Sequence, residues 1–158
     1  MQAMTMRGRS RTSAPDIDAL PWVPAGTPGK WSRPLRFLPG DRGFVELLRM
    51  EPSVLMPPHR HTGDVHAWNL SGSRQLDTGE VVGPGGYTYE PPGNVDWWRA
   101  IGDEPLVALV VVMGEVEFIG PHQTVVARVD ARTQREALHH WCAAQGIAVP
   151  DIGAESTG

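Results

Sequence analysis

From about residue 35 to residue 130, short apolar stretches alternate with clusters of turn-forming residues. Gly43 to Met50 reads as a strand, a second extended piece enters Pro57-Pro58 and continues through His61, and Val65 to Leu70 is a third. Ser71-Gly72, Thr78-Gly79 and Gly83-Pro84-Gly85-Gly86 are turn signals. Tyr87-Thr88-Tyr89-Glu90 is strand-like and stops at Pro91-Pro92-Gly93. Leu106 to Met113 is nearly all β-branched or aliphatic, the pattern of a strand buried on both faces. Glu115 to Ile119 and Thr124 to Val129 follow as hairpin partners. Strands at roughly ten-residue intervals predict a sandwich or barrel and argue against β-α-β units.

One segment changes period. From Ala131 to Gln145 the spacing predicts a helix, with Asp130 as N-cap, Gly146 as C-cap, and Leu138, Trp141, Cys142 and Gln145 on one face. Such a helix packs outside the barrel or at a subunit contact, and Cys142 is expected as a small core residue. The flanks divide the chain into an arm over residues 1–34, a body over 35–150 and a polar tail over 151–158. The arm is rich in Pro, Gly, Ser and Arg; its first dozen residues are expected to be disordered, and Trp22 and Trp31 to drape the rest over the barrel.

Composition fits this picture. A length of 158 residues suits one domain, and 41% apolar with 20% charged residues is ordinary for a soluble protein. Eighteen Gly and 15 Pro suit an all-β chain with many turns. The net charge of -4 argues against nucleic acid or an anionic membrane as the partner. A single cysteine excludes an internal disulfide and a thiolate zinc site. No apolar leader or spanning run is visible, so a cytoplasmic location is expected.

The chemistry concentrates in Pro57-Pro58-His59-Arg60-His61-Thr62-Gly63-Asp64-Val65-His66, which holds three of the six histidines. Residues two apart on a strand share a side, so His59 and His61 present both imidazoles to one space, a bidentate seat for iron, manganese, nickel or zinc. Gly86 to Gly93 supplies a second strand closed by a Pro-x-Gly turn. Trp68, Trp97 and Trp98 flank these segments. At least two are expected to pack in the core, while Trp68, Trp98 and Tyr89 are the candidates for the wall of a substrate pocket. His122, His139 and His140 read as surface residues. No P-loop, dinucleotide fingerprint or nucleophile elbow competes.

These two segments resemble the paired motifs of the cupin superfamily, an all-β single-domain jelly-roll barrel (double-stranded β-helix), here followed by the C-terminal helix. In the first motif an H-x-H pair is followed after three or four residues by glutamate; here His66 stands in that slot. In the second a glycine, a P-x-G and a histidine recur; here Gly86, Pro91 and Gly93 match, and Asp96 holds the histidine slot. The string from His59 to Gly72, with Tyr87 to Gly93, is similar to the dihydroxyacetophenone dioxygenase group, with acetylacetone dioxygenase a more distant relative.

That resemblance implies one divalent metal per chain, iron(II) first and manganese, nickel or zinc as alternatives, on His59, His61, Asp77 and Asp96. Glu80 is the neighbouring alternative to Asp77, and His66 is either a ligand or a support for one. The implied partners are a small oxygenated ketone and dioxygen, and a homodimer or tetramer is the expected assembly. The implied reaction is oxidoreductive: a dioxygenase cleaving a carbon–carbon bond of an aryl ketone or diketone. An oxygen-independent metal enzyme (isomerase or decarboxylase) and a non-catalytic binding or sensor cupin, of the kind found in certain anti-sigma factors, are the rivals.

Overall fold

A computed structural model describes residues 16–153. Twelve strands and one α-helix occur in the described residues. The strands are β1 (Val23–Pro24), β2 (Lys30–Phe37), β3 (Gly43–Met50), β4 (Leu55–His61), β5 (Val65–Ser71) and β6 (Ser73–Leu76). They continue with β7 (Val81–Val82), β8 (Tyr87–Glu90), β9 (Val95–Ile101), β10 (Leu106–Met113), β11 (Val116–Ile119) and β12 (Val125–Val129), and α1 (Ala131–Gln145) closes the fold. One sheet runs β1-β2-β3-β10-β5-β8 and the other β12-β11-β4-β9-β6-β7. Every pairing is antiparallel.

Period-2 alternation decides what enters the interior. On β5, Val65, Ala67 and Asn69 are buried, while Trp68 and Leu70 are exposed. On β9, Trp98 and Ala100 are buried and Val95, Trp97 and Arg99 are exposed. β4 breaks the rule: Met56, His59 and His61 are all buried, an odd step followed by an even one. The register against β9 shifts between Met56 and His59, so Pro57-Pro58 forms an irregularity that resets the parity. Proline has no N–H to give a ladder, which makes it suited to such a bulge.

A sharp corner joins the sheets. Only Gly72 separates β5 in the first sheet from β6 in the second. Its φ of 67° is left-handed, and a Cβ there would come within 2.4 Å of the Pro105 carbonyl oxygen. No other residue fits.

The interior packs in two clusters. Leu48, Met50, Met56, Trp98, Ala100 and Leu106 fill one end. Phe37, Phe44, Val65, Val112, Leu138, Cys142 and Ile152 are among those that fill the other, where α1 covers the barrel. The helix begins with a capping box, Asp130 accepting from the Thr133 N–H and Thr133 Oγ1 accepting from the Asp130 N–H, and ends at left-handed Gly146. A cavity of about 550 Å³ lies between the clusters.

Helix bounds and caps match the sequence pattern, as do β3, β8 and β10 residue for residue. Several expectations need correction. Residues 30–34, assigned to the arm, belong to β2 and pair with β3; Lys30, Arg33 and Pro34 hide the strand's alternation. Trp22 and Trp31 stack with Arg33 and Arg49, at 4.4 and 5.5 Å; the expected disorder of the first dozen residues lies outside the described ones. Ile152, assigned to a polar tail, is 1% exposed, and its carbonyl accepts from the Phe37 N–H at 2.9 Å. β10 is not sealed on both faces, because only Leu106, Ala108 and Val112 are buried. Gln145 is exposed while Arg135 and Ala131 join Leu138 and Cys142 on the buried stripe. Among the described residues, no helix is long and apolar enough to cross a membrane.

Gly72→Ala is expected to lower stability by at least about 1–3 kcal/mol, the cost of a left-handed non-glycine residue before any clash. Urea unfolding checks this through a lower midpoint at unchanged slope.

Candidate metal centre

Two sheets contribute to one site. β4 carries His59 and His61, 3% and 5% exposed, with ring centroids 4.9 Å apart and planes at 83°. From the other sheet β8 carries Glu90, which pairs in register with inward-facing Val65 and so points inward too. The turn from Pro91 to Asn94 locks these together: the Gly93 N–H donates to the His61 carbonyl at 2.7 Å, and the His61 N–H donates to the Asn94 carbonyl at 3.2 Å. That turn joins Glu90 to β9, where Asp96 faces His59 across the ladder.

One potential ligand atom from each of His59, His61 and Glu90 lies within 4.8 Å of the others. Oε2 of Glu90 is 2.9 Å from Nε2 of His61. Despite that distance, among the described residues neither ring nitrogen of His61 makes a hydrogen bond of good geometry, and both are buried. The atoms are close together without being paired by a well-aligned hydrogen bond. A separation near 3 Å is what neighbouring ligands show at metal bonds of about 2.1 Å. Nδ1 of His59 donates to the Pro57 carbonyl at 2.8 Å, which leaves the Nε2 lone pair for a metal. The same irregularity that turns His59 inward therefore sets its tautomer.

Electrostatics agree with ligation. Burial holds the His59 imidazole down at about 4, so it is neutral at physiological pH, the form that binds metals. Asp96 Oδ1 lies 3.2 Å from His59 Nε2 and also lacks a hydrogen bond among the described residues. Burial, then the hydrogen bond to Glu90 and its charge, push the Asp96 carboxyl well above the usual range. Burial opposes ionisation of Glu90 too, but His61 and Asp96 outweigh it and hold Glu90 below its usual range. Two carboxyls in one buried site share a proton unless a cation joins them. A divalent ion fits this donor set: His59, His61 and Glu90 as ligands, with Asp96 beside His59.

The predicted set is only partly assembled. His59, His61 and Asp96 meet. Asp77 and Glu80 do not: both are exposed in the turn after β6, and Asp77 touches the site only as a charge that further raises Asp96. His66 lies on the outer face of β5, where its Nδ1 contacts the Tyr87 hydroxyl at 2.6 Å. Trp68 and Tyr89 are outside as well, 38% and 50% exposed, with Tyr89 donating to Asp64 at 2.6 Å. Trp97 is 43% exposed. Of the three pocket candidates only Trp98 lines the cavity, and it is also the one tryptophan of the three that packs in the core. The reason is parity. His66, Trp68, Tyr87 and Tyr89 occupy the positions opposite to Val65, Ala67, Thr88 and Glu90, and alternation applied along β5 would have shown it.

Two residues escaped the sequence reading. Glu90 was visible as the last residue of a strand whose alternate members are tyrosines. Arg74 gave no signal. It is 5% exposed inside β6, with its guanidinium 4.7 Å over Trp98 and Nη2 donating to Thr88 Oγ1 at 2.7 Å. Burial lowers its basicity, and the charges of Glu90 and Asp96 oppose that.

The sequence model of the ChrR cupin-like domain matches residues 10–117. The chain belongs to that cupin family. This cupin is similar in structure to an RmlC-like cupin protein from Ralstonia eutropha, with a TM-score of 0.84 at 21% identity over 90% of this chain and 94% of that one. An acetylacetone dioxygenase from Acinetobacter johnsonii follows the same fold, with a TM-score of 0.73 at 15% identity over 90% and 99% of the two chains. The anti-sigma ChrR of Rhodobacter sphaeroides, in complex with SigE, matches with a TM-score of 0.52 at 20% identity, over 61% of this cupin and 51% of that chain. At such identities the likeness is one of fold. No curated protein matches in sequence.

Titration of the metal-free protein with zinc or cobalt is expected to give one site per chain. Replacing an orienting neighbour, as in Asp96→Asn, lowers affinity by about 10–100-fold, and His61→Ala or Glu90→Ala by more. His66→Ala and Tyr89→Phe leave it unchanged. Calorimetry reads all five.

Proposed function

We propose that this cupin is an iron(II)-dependent oxygenase that cleaves a carbon–carbon bond in a small aryl ketone or diketone. The observation that carries the reading is the set His59, His61 and Glu90 on the wall of a largely apolar cavity. Two imidazoles and one carboxylate with open positions form the arrangement typical of non-haem iron oxygenases. Iron held there would supply Lewis acidity toward a chelated dicarbonyl and redox chemistry toward dioxygen. The chain's own side chains do the rest. His59 keeps its ligating nitrogen pointed inward through Pro57, and Glu90 lowers the charge of the site. Leu48, Val110, Phe118 and Trp98 form dry walls against which a ring or alkyl group packs. The cavity volume of about 550 Å³ lies in the range of small-molecule sites. The fold likeness to an acetylacetone dioxygenase supports the same reaction class.

A second reading is a metal-binding sensor module without turnover. The match to the ChrR cupin-like domain favours it, and so does Asp96, whose carboxyl takes up room beside His59 Nε2.

Oxygen uptake separates the two. Protein loaded anaerobically with iron(II) and mixed with aryl ketones or 1,3-diketones is expected to consume dioxygen, and Glu90→Ala to lose that activity by at least about 100-fold, as for removal of a group needed in the transition state. Stoichiometric metal binding with no uptake on iron, manganese or nickel contradicts the oxygenase and favours the sensor.

A further inference from the structure

The metal ligands occupy one part of the cavity wall. Lys30, from β2 of the first sheet, lines the same cavity elsewhere. Its ammonium has poor company. Nζ reaches Sδ of Met56 at 3.7 Å and stands 5.5 Å from the centre of the Phe118 ring. A thioether is a weak acceptor and a ring face carries no full charge. Among the described residues Lys30 forms no ion pair within 4.0 Å. The charge of Glu46 acts on it, but Oε2 of Glu46 already accepts from Gln134 at 2.9 Å and from Ser32 Oγ. Burial lowers the basicity of Lys30, and Glu46 works against that. A mostly buried ammonium without an anion at contact distance is a costly feature unless a ligand completes it.

Phe118 connects this ammonium to the metal centre. Its ring lies 5.5 Å from Lys30 Nζ and 6.0 Å from the His59 ring. The ammonium and the His59 imidazole thus neighbour the same phenyl ring in the wall of a largely apolar cavity. The other cavity cation, Arg74, is committed to Trp98, Thr88 and the charges of Glu90 and Asp96.

We propose that Lys30 anchors a carboxylate at the far end of the substrate, so that the cavity selects keto acids over neutral ketones. The chelating oxygens would lie at His59, His61 and Glu90, and the acid at Lys30, with an aryl spacer that packs against Phe118. This deepens the reading of the site as a carbonyl-chelating metal centre and rests on it.

The test compares 4-(acetoacetyl)benzoate with its methyl ester, titrated by calorimetry into zinc-loaded protein under argon. Wild-type protein is expected to bind the acid roughly tenfold or more tightly than the ester, the scale of a charge pair formed on binding. Lys30→Met and Lys30→Gln bring the acid down to the level of the ester, and Lys30→Arg restores much of the difference. Equal binding of acid and ester by the wild type overturns the proposal without need of any variant. So does a preference that survives both neutral substitutions, which would place the anion on Arg74. Because affinity is read without dioxygen, a Lys30-dependent preference stands even where no oxygen is consumed. Oxygen uptake without such a preference removes the anchor and leaves the oxygenase.

Discussion

Two almost fully buried imidazoles, facing a carboxylate from the opposite sheet, are the constraint around which this barrel is arranged. Burying such groups without partners is unfavourable, and both nitrogens of His61 and one oxygen of Asp96 lack hydrogen bonds among the described residues. A hydrophobic trio in the same places would hold the sheets together at lower cost. The polar set persists because the surrounding backbone over-determines it. The turn from Pro91 to Asn94 hydrogen-bonds both sides of His61, and the Pro57 carbonyl fixes His59. A bound metal would turn this cost into a gain, since a common ion would satisfy the facing donors together.

The cavity follows from the same arrangement. Closely packed interiors leave few voids larger than a water molecule, yet here about 550 Å³ separates two apolar clusters. Small inward residues keep it open: Ala67 and Ala108 on the first sheet face it where larger side chains would fill the space. Charged groups enter its wall at few points, namely Lys30, Glu46, Arg74 and Glu90. Such a layout suits an organic molecule with an apolar middle and polar ends.

Much of this was legible in the chain before any coordinates. Strands β3, β8 and β10 and the helix with both caps follow from turn residues, alternation and capping chemistry that act locally. The H-x-H pair was legible because two residues apart on a strand means one side. β2 and β9 were harder, since Lys30, Arg33 and Pro34 interrupt one, and outward Val95 and Trp97 blur the other. The candidate carboxylate ligand was missed for a different reason. Glu90 reaches His61 only because β8 lies in the opposite sheet, a long-range placement that spacing along the chain does not report. Asp77 and His66 were placed by slot in a motif, and parity and the position of the β6 turn overruled them. Lys30 and Arg74 became visible only when the sheets closed over them.

His59, His61 and Glu90 are expected to share one ion. Anomalous difference density in a crystal soaked with manganese(II) or iron(II) tests it most directly. A single peak is expected about 2.0–2.3 Å from one nitrogen of each histidine and an oxygen of Glu90. A soaked crystal with no peak between these side chains, or with the ion seated at His66 or Asp77 instead, would contradict it.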